Sequence, residues 1–163
     1  MKKFLIAALA LLALGVTPGC EKPAPAPSSA AADAAVAAQQ RAARQAMFGA
    51  EAGAPEVQWT DSGLGYRIVN VGQPPKPGVG AQVTITYTGR LKDGSVFDQT
   101  KEPEPFSIGG TIPGLSVGLQ LLGRGGKATF YVPPSLGYGP RKVMGIPPNS
   151  GLIFDVDVVS VTQ

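Results

Sequence analysis

The sequence predicts an α+β domain, a half-open antiparallel β-sheet wrapped around one short α-helix, placed behind two non-globular segments. Three observations predict it. Most of the 22 glycines lie beyond residue 60, where they separate short β-branched and aromatic runs. Only one stretch of that region repeats at helical spacing, with Leu115, Leu119 and Leu122 at i, i+4 and i+7. Upstream, the composition shifts to apolar residues and then to alanine and proline. The expected division is 1–19 as a signal peptide, 20–56 as an Ala/Pro-rich tether that is partly helical, and 57–163 as the folded domain.

The elements follow in order. Met1-Lys2-Lys3 is a short basic start, and Phe4 to Val16 is apolar or small throughout, too short to span a bilayer as a permanent helix. Cys20, the single cysteine, follows Gly19 where a bacterial lipoprotein signal places its lipidated residue. Thr17 and Pro18 depart from the usual residues before that site, which leaves an ordinary cleaved signal open as the alternative. A lipidated Cys20 would hold the chain on a membrane, because each buried methylene contributes about 0.8 kcal/mol. Glu21 to Ser29 is a Pro-Ala tract that resists packing. From Ala30 to Phe48 the alanine content favours a helix that Gly49 ends, read as a solvated stalk or a weak oligomerisation segment.

In the domain, Val57–Thr60 and Tyr66–Val71 flank Asp61-Ser62-Gly63-Leu64-Gly65 as strand, turn and strand. Gly72 to Gly80, with three prolines, is a loop. Gln82 to Gly89 alternates with period two and sets Val83, Ile85 and Tyr87 on one face. Asp93-Gly94 marks a turn before a strand at Val96-Phe97-Asp98. Pro113 suits the first turn of the single helix, and Gly123 closes that segment. Lys127–Val132 and Leu152–Val161 complete the sheet. Its concave face, with the helix end, is where a ligand pocket belongs.

Composition excludes much of the common catalytic repertoire. The chain has no histidine and one cysteine, so it holds no Ser-His or Cys-His pair, no histidine-ligated metal and no internal disulfide. No metal or cofactor is expected. Its net charge of +3 is too small and too scattered for a nucleic-acid surface.

Six motifs stand in order: Val83-Thr84-Ile85-Thr86-Tyr87-Thr88-Gly89, Asp93-Gly94-Ser95-Val96-Phe97-Asp98, Ile112-Pro113-Gly114-Leu115, Leu136-Gly137-Tyr138-Gly139, Ile146-Pro147-Pro148-Asn149-Ser150 and Leu152-Ile153-Phe154-Asp155-Val156. Together they resemble the FKBP-type peptidyl-prolyl cis-trans isomerases, from about Thr60 to Val161. The layout of signal, spacer and C-terminal domain is similar to the exported members of Gram-negative bacteria, the macrophage infectivity potentiators among them. The resemblance implies the FKBP-like fold, proline-containing unfolded or exported polypeptides as substrates, macrolide inhibitors as further ligands, and a periplasm-facing or outer-membrane lipoprotein.

Carried over by residue, the resemblance makes Tyr87, Phe97, Phe106, Ile112, Tyr138 and Phe154 a cup for the substrate proline ring, with Thr111 at its rim and Ile146 on a flap. It also implies that the Ile112 amide and the Tyr138 hydroxyl receive substrate carbonyls, with Asp98 as the charge at the cup's edge. Without it, Phe97 and Phe154 read as core residues and Asp98 as a solvated turn acid. Leu115 stands where the family has tryptophan, which implies a shallower or wider cup. The basic partner expected beside Asp98 is replaced at best by Lys101, and the loop 140–145 lacks the histidine common there. These departures bear on macrolide affinity and substrate preference. The reaction needs no acid, base or nucleophile, because rotating an X-Pro bond breaks no bond between heavy atoms. Two functions are therefore expected in order: an isomerase of X-Pro bonds, then a tethered binding or chaperone module that grips the same segments with little turnover.

Overall fold

A computed structural model describes residues 29–143 and 145–162. The signal-peptide and lipidation readings, including Cys20, lie outside the described residues.

The chain forms helix α1 (Ser29–Phe48), a 3₁₀ turn (Ala50–Gly53), and strands β1 (Gln58–Trp59), β2 (Gly65–Asn70), β3 (Gln82–Arg90), β4 (Val96–Gln99) and β5 (Glu104–Ser107). Helix α2 (Pro113–Leu119), β6 (Lys127–Val132), a second 3₁₀ turn (Pro134–Leu136) and β7 (Leu152–Thr162) follow. The strands form one antiparallel sheet in the order β1-β2-β6-β7-β3-β4, with β5 also pairing β3. The outer edge of β3 is thus shared, Gln82–Ile85 facing β5 and Thr88–Arg90 facing β4. No helix among the described residues is long and apolar enough to cross a membrane.

Alternation along the strands divides the apolar residues between two faces. On the concave face Leu152, Phe154, Val156 and Val158 of β7 join Phe130 of β6, Val83 and Ile85 of β3, and Leu115 and Leu119 of α2 in the main core. Pro113 occupies the first turn of α2, where its missing N–H costs no hydrogen bond. The helical repeat extends in sequence to Leu122, yet α2 ends at Leu119 and Leu122 is reached through a turn. Strand β5 was not apparent in the sequence. Its Pro105 removes a backbone donor, which an edge position tolerates.

The convex face carries a second, smaller core that sequence reading did not anticipate. Tyr131 and Ile153 are both fully buried there, paired across β6 and β7, beneath Phe48, Ala52 and Val57. The ring centroids of Phe48 lie 5.7 Å from Trp59 and 5.8 Å from Tyr131. Gly151 makes this possible, since a Cβ there would stand 2.7 Å from the Phe48 ring. The end of α1 is therefore packed on the domain rather than solvated along its whole length. Polar contacts reinforce the packing: the Arg90 guanidinium donates to both carboxylate oxygens of Glu51 and, through Nε, to Asp155 at 3.0 Å. The bond to Glu51 is the main cause holding the Arg90 pKa above its ordinary value, against the opposing effect of burial. Arg44 lies 4.4 Å above the Trp59 ring centroid, a cation–π contact.

Candidate active site

The site is built on β3, β4, β5, β7, the start of α2 and the loop before β7. Tyr87, Phe97, Phe106, Ile112 and Tyr138 are partly buried against one core that also contains Leu115, Ile146 and Phe154. Eight of the expected residues therefore meet in a single aromatic and aliphatic cluster, although they span 68 positions of sequence between Tyr87 and Phe154.

The rings are locked by edge contacts. Phe154 stands 5.6 Å from Phe97 at 87° and 5.9 Å from Tyr87 at 56°, and Tyr87 stands 5.7 Å from Phe106 at 73°. Such tilted pairs contribute about 0.5–1.5 kcal/mol beyond burial and fix ring planes. Gly89, paired with both Asp98 and Phe154 across the sheet, leaves the space the rings fill. A Cβ at Gly89 would approach Phe97 to 2.7 Å and Phe154 to 3.1 Å.

Polar groups stand at the rim. The Tyr87 hydroxyl donates to Asp98 Oδ2 at 2.6 Å, while its backbone N–H donates to Thr100 Oγ1 at 2.8 Å. The tyrosine thus fills the place in which sequence reading sought a basic partner; among the described residues no cation lies within ion-pair distance of Asp98, and Lys101 is exposed. Burial first, and then the bond to Asp98, raise the Tyr87 pKa well above the ordinary phenol value. Because the folded value is the higher one, the stability from neutral Tyr87 is complete below about pH 10 and is lost as pH rises through the folded value. Thr111 shares a 2.9 Å hydrogen bond with Ser116, whose Oγ also accepts from the Gly109 N–H at 3.2 Å. This pair holds the turn that leads into α2.

Two donors remain available. The Ile112 carbonyl accepts from the N–H groups of Leu115 and Ser116, each at 3.1 Å, so the peptide before the helix is fixed. Among the described residues the Ile112 N–H and the Tyr138 hydroxyl have no intramolecular hydrogen-bond partner. Both belong to residues packed against the aromatic and aliphatic cluster. Sequence reasoning missed the Tyr87–Asp98 bond, the bracing by Thr100 and Ser116, and the contribution of Leu91 and Leu136 to the cluster. The Tyr87 contacts with Asp98 and Thr100 join residues more than ten positions apart, so the sequence alone does not signal them, whereas the Thr111–Ser116 bond is local to the turn before α2.

This arrangement, an antiparallel sheet with an aromatic cluster against a short helix, matches a known class. The FKBP-type peptidyl-prolyl cis-trans isomerase family matches residues 73–159, and the chain belongs to that family. It is 40% identical over 131 residues to the outer membrane protein MIP of Legionella longbeachae, covering 78% of this chain and 56% of that protein. It is 41% identical over 108 residues to FkpA, an FKBP-type peptidyl-prolyl cis-trans isomerase of Escherichia coli, covering 64% of this chain and 40% of that one. The crystal structure of Escherichia coli FkpA superposes with a TM-score of 0.69 at 35% identity, over 83% of this chain and 66% of that one. A peptidyl-prolyl cis-trans isomerase structure from Pseudomonas syringae gives 0.66 at 29% identity, over 86% of this chain and 99% of that one. The chain spans about half the length of the curated relatives it matches.

Proposed function

We propose that this protein is a peptidyl-prolyl cis-trans isomerase that rotates X-Pro bonds in exported polypeptides and so assists their folding. What supports the reading is that Tyr87, Phe97, Phe106, Leu115, Ile146 and Phe154 gather in one hydrophobic cluster with Ile112 and Tyr138, whose N–H and hydroxyl have no intramolecular partner among the described residues; in this reading they form a cup with two donors at its edge.

Amide resonance opposes rotation by about 18–20 kcal/mol. The transition state is a twisted amide that has lost conjugation and whose carbonyl is less dipolar than in the planar ground state. An apolar cup that removes water from that carbonyl therefore favours the twisted form. Phe97, Phe154 and Leu115 seat the proline ring, while Ile112 N–H and the Tyr138 hydroxyl hold neighbouring carbonyls. Asp98, oriented by Tyr87, contributes a fixed negative charge at the rim. Thr111 and Ile146 border the entrance. A barrier lowered by about 4–7 kcal/mol accelerates a process of tens of seconds by about three to five powers of ten.

The relatives support an exported location: one is named an outer membrane protein. In this reading residues 1–19 direct export, lipidated Cys20 anchors the chain on the membrane of a Gram-negative bacterium, 20–56 form the tether, and 57–163 form the isomerase domain. Macrolide inhibitors enter the same cup.

The test is the isomerisation rate of a four-residue X-Pro peptide with the full chain. The rate is expected to be nearly flat between about pH 6 and 8. No histidine lines the cup, and Tyr87 is displaced upward, away from this window. A clear titration near neutrality contradicts the desolvation mechanism.

A further inference from the structure

Beside the cup runs a second concavity with no assigned role. A groove of about 550 Å³ is lined by Ala43, Ala46 and Met47 of α1, Leu91 and Lys92 after β3, and Pro147 before β7. Its walls are mostly apolar. Resting on the isomerase reading, we infer that this groove binds an apolar side chain of the extended client polypeptide a few residues from the proline in the cup.

Two lining segments tie the groove to the hydrophobic cluster that gathers the cup residues. Leu91 lines the groove and also packs against the cup cluster. It lies two residues beyond Gly89, whose Cα faces the Phe97 and Phe154 rings, so about 7 Å of extended strand separates cup and groove. On the other side Pro147 lines the groove, and the preceding Ile146 is buried in the cup cluster. An extended client advances about 3.3 Å per residue, so a side chain two to four positions from the bound proline falls into the groove.

The lining suits clients of varied sequence. Ala43 and Ala46 leave room, and Met47, 37% exposed, presents a flexible thioether that repacks around different side chains. The helix wall is held in place, because Lys92 Nζ donates to the Ala46 carbonyl at 3.3 Å and Phe48, the next residue after Met47, is locked in the second core. The tether helix is thereby part of the client surface.

The experiment compares a four-residue X-Pro peptide with an eight-residue one carrying leucine three positions from the proline, using the full chain. The longer peptide is expected to have a kcat/KM about tenfold higher, equivalent to about 1.4 kcal/mol. In Met47→Glu and in Ala43→Trp the ratio falls below about twofold, whereas Val36→Glu, on α1 outside the groove, retains it. In the unmodified protein the Met47 methyl NMR signal is expected to shift with the longer peptide and not with the shorter one. That measurement needs no variant to fold. An unmodified ratio near one, a ratio untouched by both groove variants, or a Met47 signal that follows protein concentration in place of peptide overturns the proposal; the last would put a second copy of the chain in the groove. No turnover of the four-residue peptide would instead strike the isomerase reading itself, while turnover without length dependence strikes the groove alone.

Discussion

Phe48→Ala is expected to lower the unfolding free energy by about 3–5 kcal/mol, the range for removing a buried phenylalanine ring. The side chain is 2% exposed, and it covers Trp59, Tyr131 and Gly151 on the convex face. Truncation opens a cavity that Ala52 and Val57 are too small to close. A domain's whole stability is about 5–15 kcal/mol, so the effect is a large part of it. Guanidinium unfolding measures the change. Val36→Ala, at a position 51% exposed on the same helix, should stay within about 0.5 kcal/mol. A Phe48→Ala loss below about 1 kcal/mol would mean that α1 is not docked on the sheet. The same packing predicts that a fragment starting at Val57 exposes Tyr131 and Ile153 and is less stable than the full chain.

Combining Tyr138→Phe with Asp98→Ala is expected to lower kcat/KM for a four-residue X-Pro peptide by about ten- to a hundredfold. Each removes one polar contribution of about 0.7–1.4 kcal/mol, and together these correspond to that range. Asp98→Ala also frees the Tyr87 hydroxyl, which then loses its 2.6 Å acceptor at the rim. Asp98 is exposed and Tyr138 only partly buried, so the thermal unfolding midpoint should hold within a few degrees while the rate falls. An unchanged rate rejects the assignment of these groups.

The concave half of the fold was legible because its signals are local. Alternation in Gln82–Gly89, the Asp93-Gly94 turn and the leucine repeat after Pro113 each specify an element from adjacent residues, and the structure has all three, with α2 ending at Leu119 short of the repeat's last leucine. The family resemblance supplied the cup's membership, since nothing local tells a cup aromatic such as Phe97 from a core one. The convex core was harder. Leu152-Ile153-Phe154 and Phe130-Tyr131-Val132 are apolar without alternation, which is the mark of strands buried on both faces. That pattern called for a covering element, and the cover is Phe48, at the end of an alanine-rich helix whose other residues give no such hint. Trp59 belongs to this second layer and not to the cup, because β1 places it over Gly65 and against Tyr131. The Asp98 partner was missed for a different reason: a cation was sought near it in sequence, whereas the neighbouring strand offered a tyrosine hydroxyl.

The most direct test of the account is the rate of cis-to-trans exchange in a four-residue X-Pro peptide with the full chain present at catalytic concentration. The account predicts acceleration by about three to five powers of ten over the uncatalysed exchange of tens of seconds, abolished when the cup is occupied by a competing proline peptide. Peptide signals that shift on binding while the exchange rate stays at its uncatalysed value would contradict it and leave a binding module in place of an isomerase.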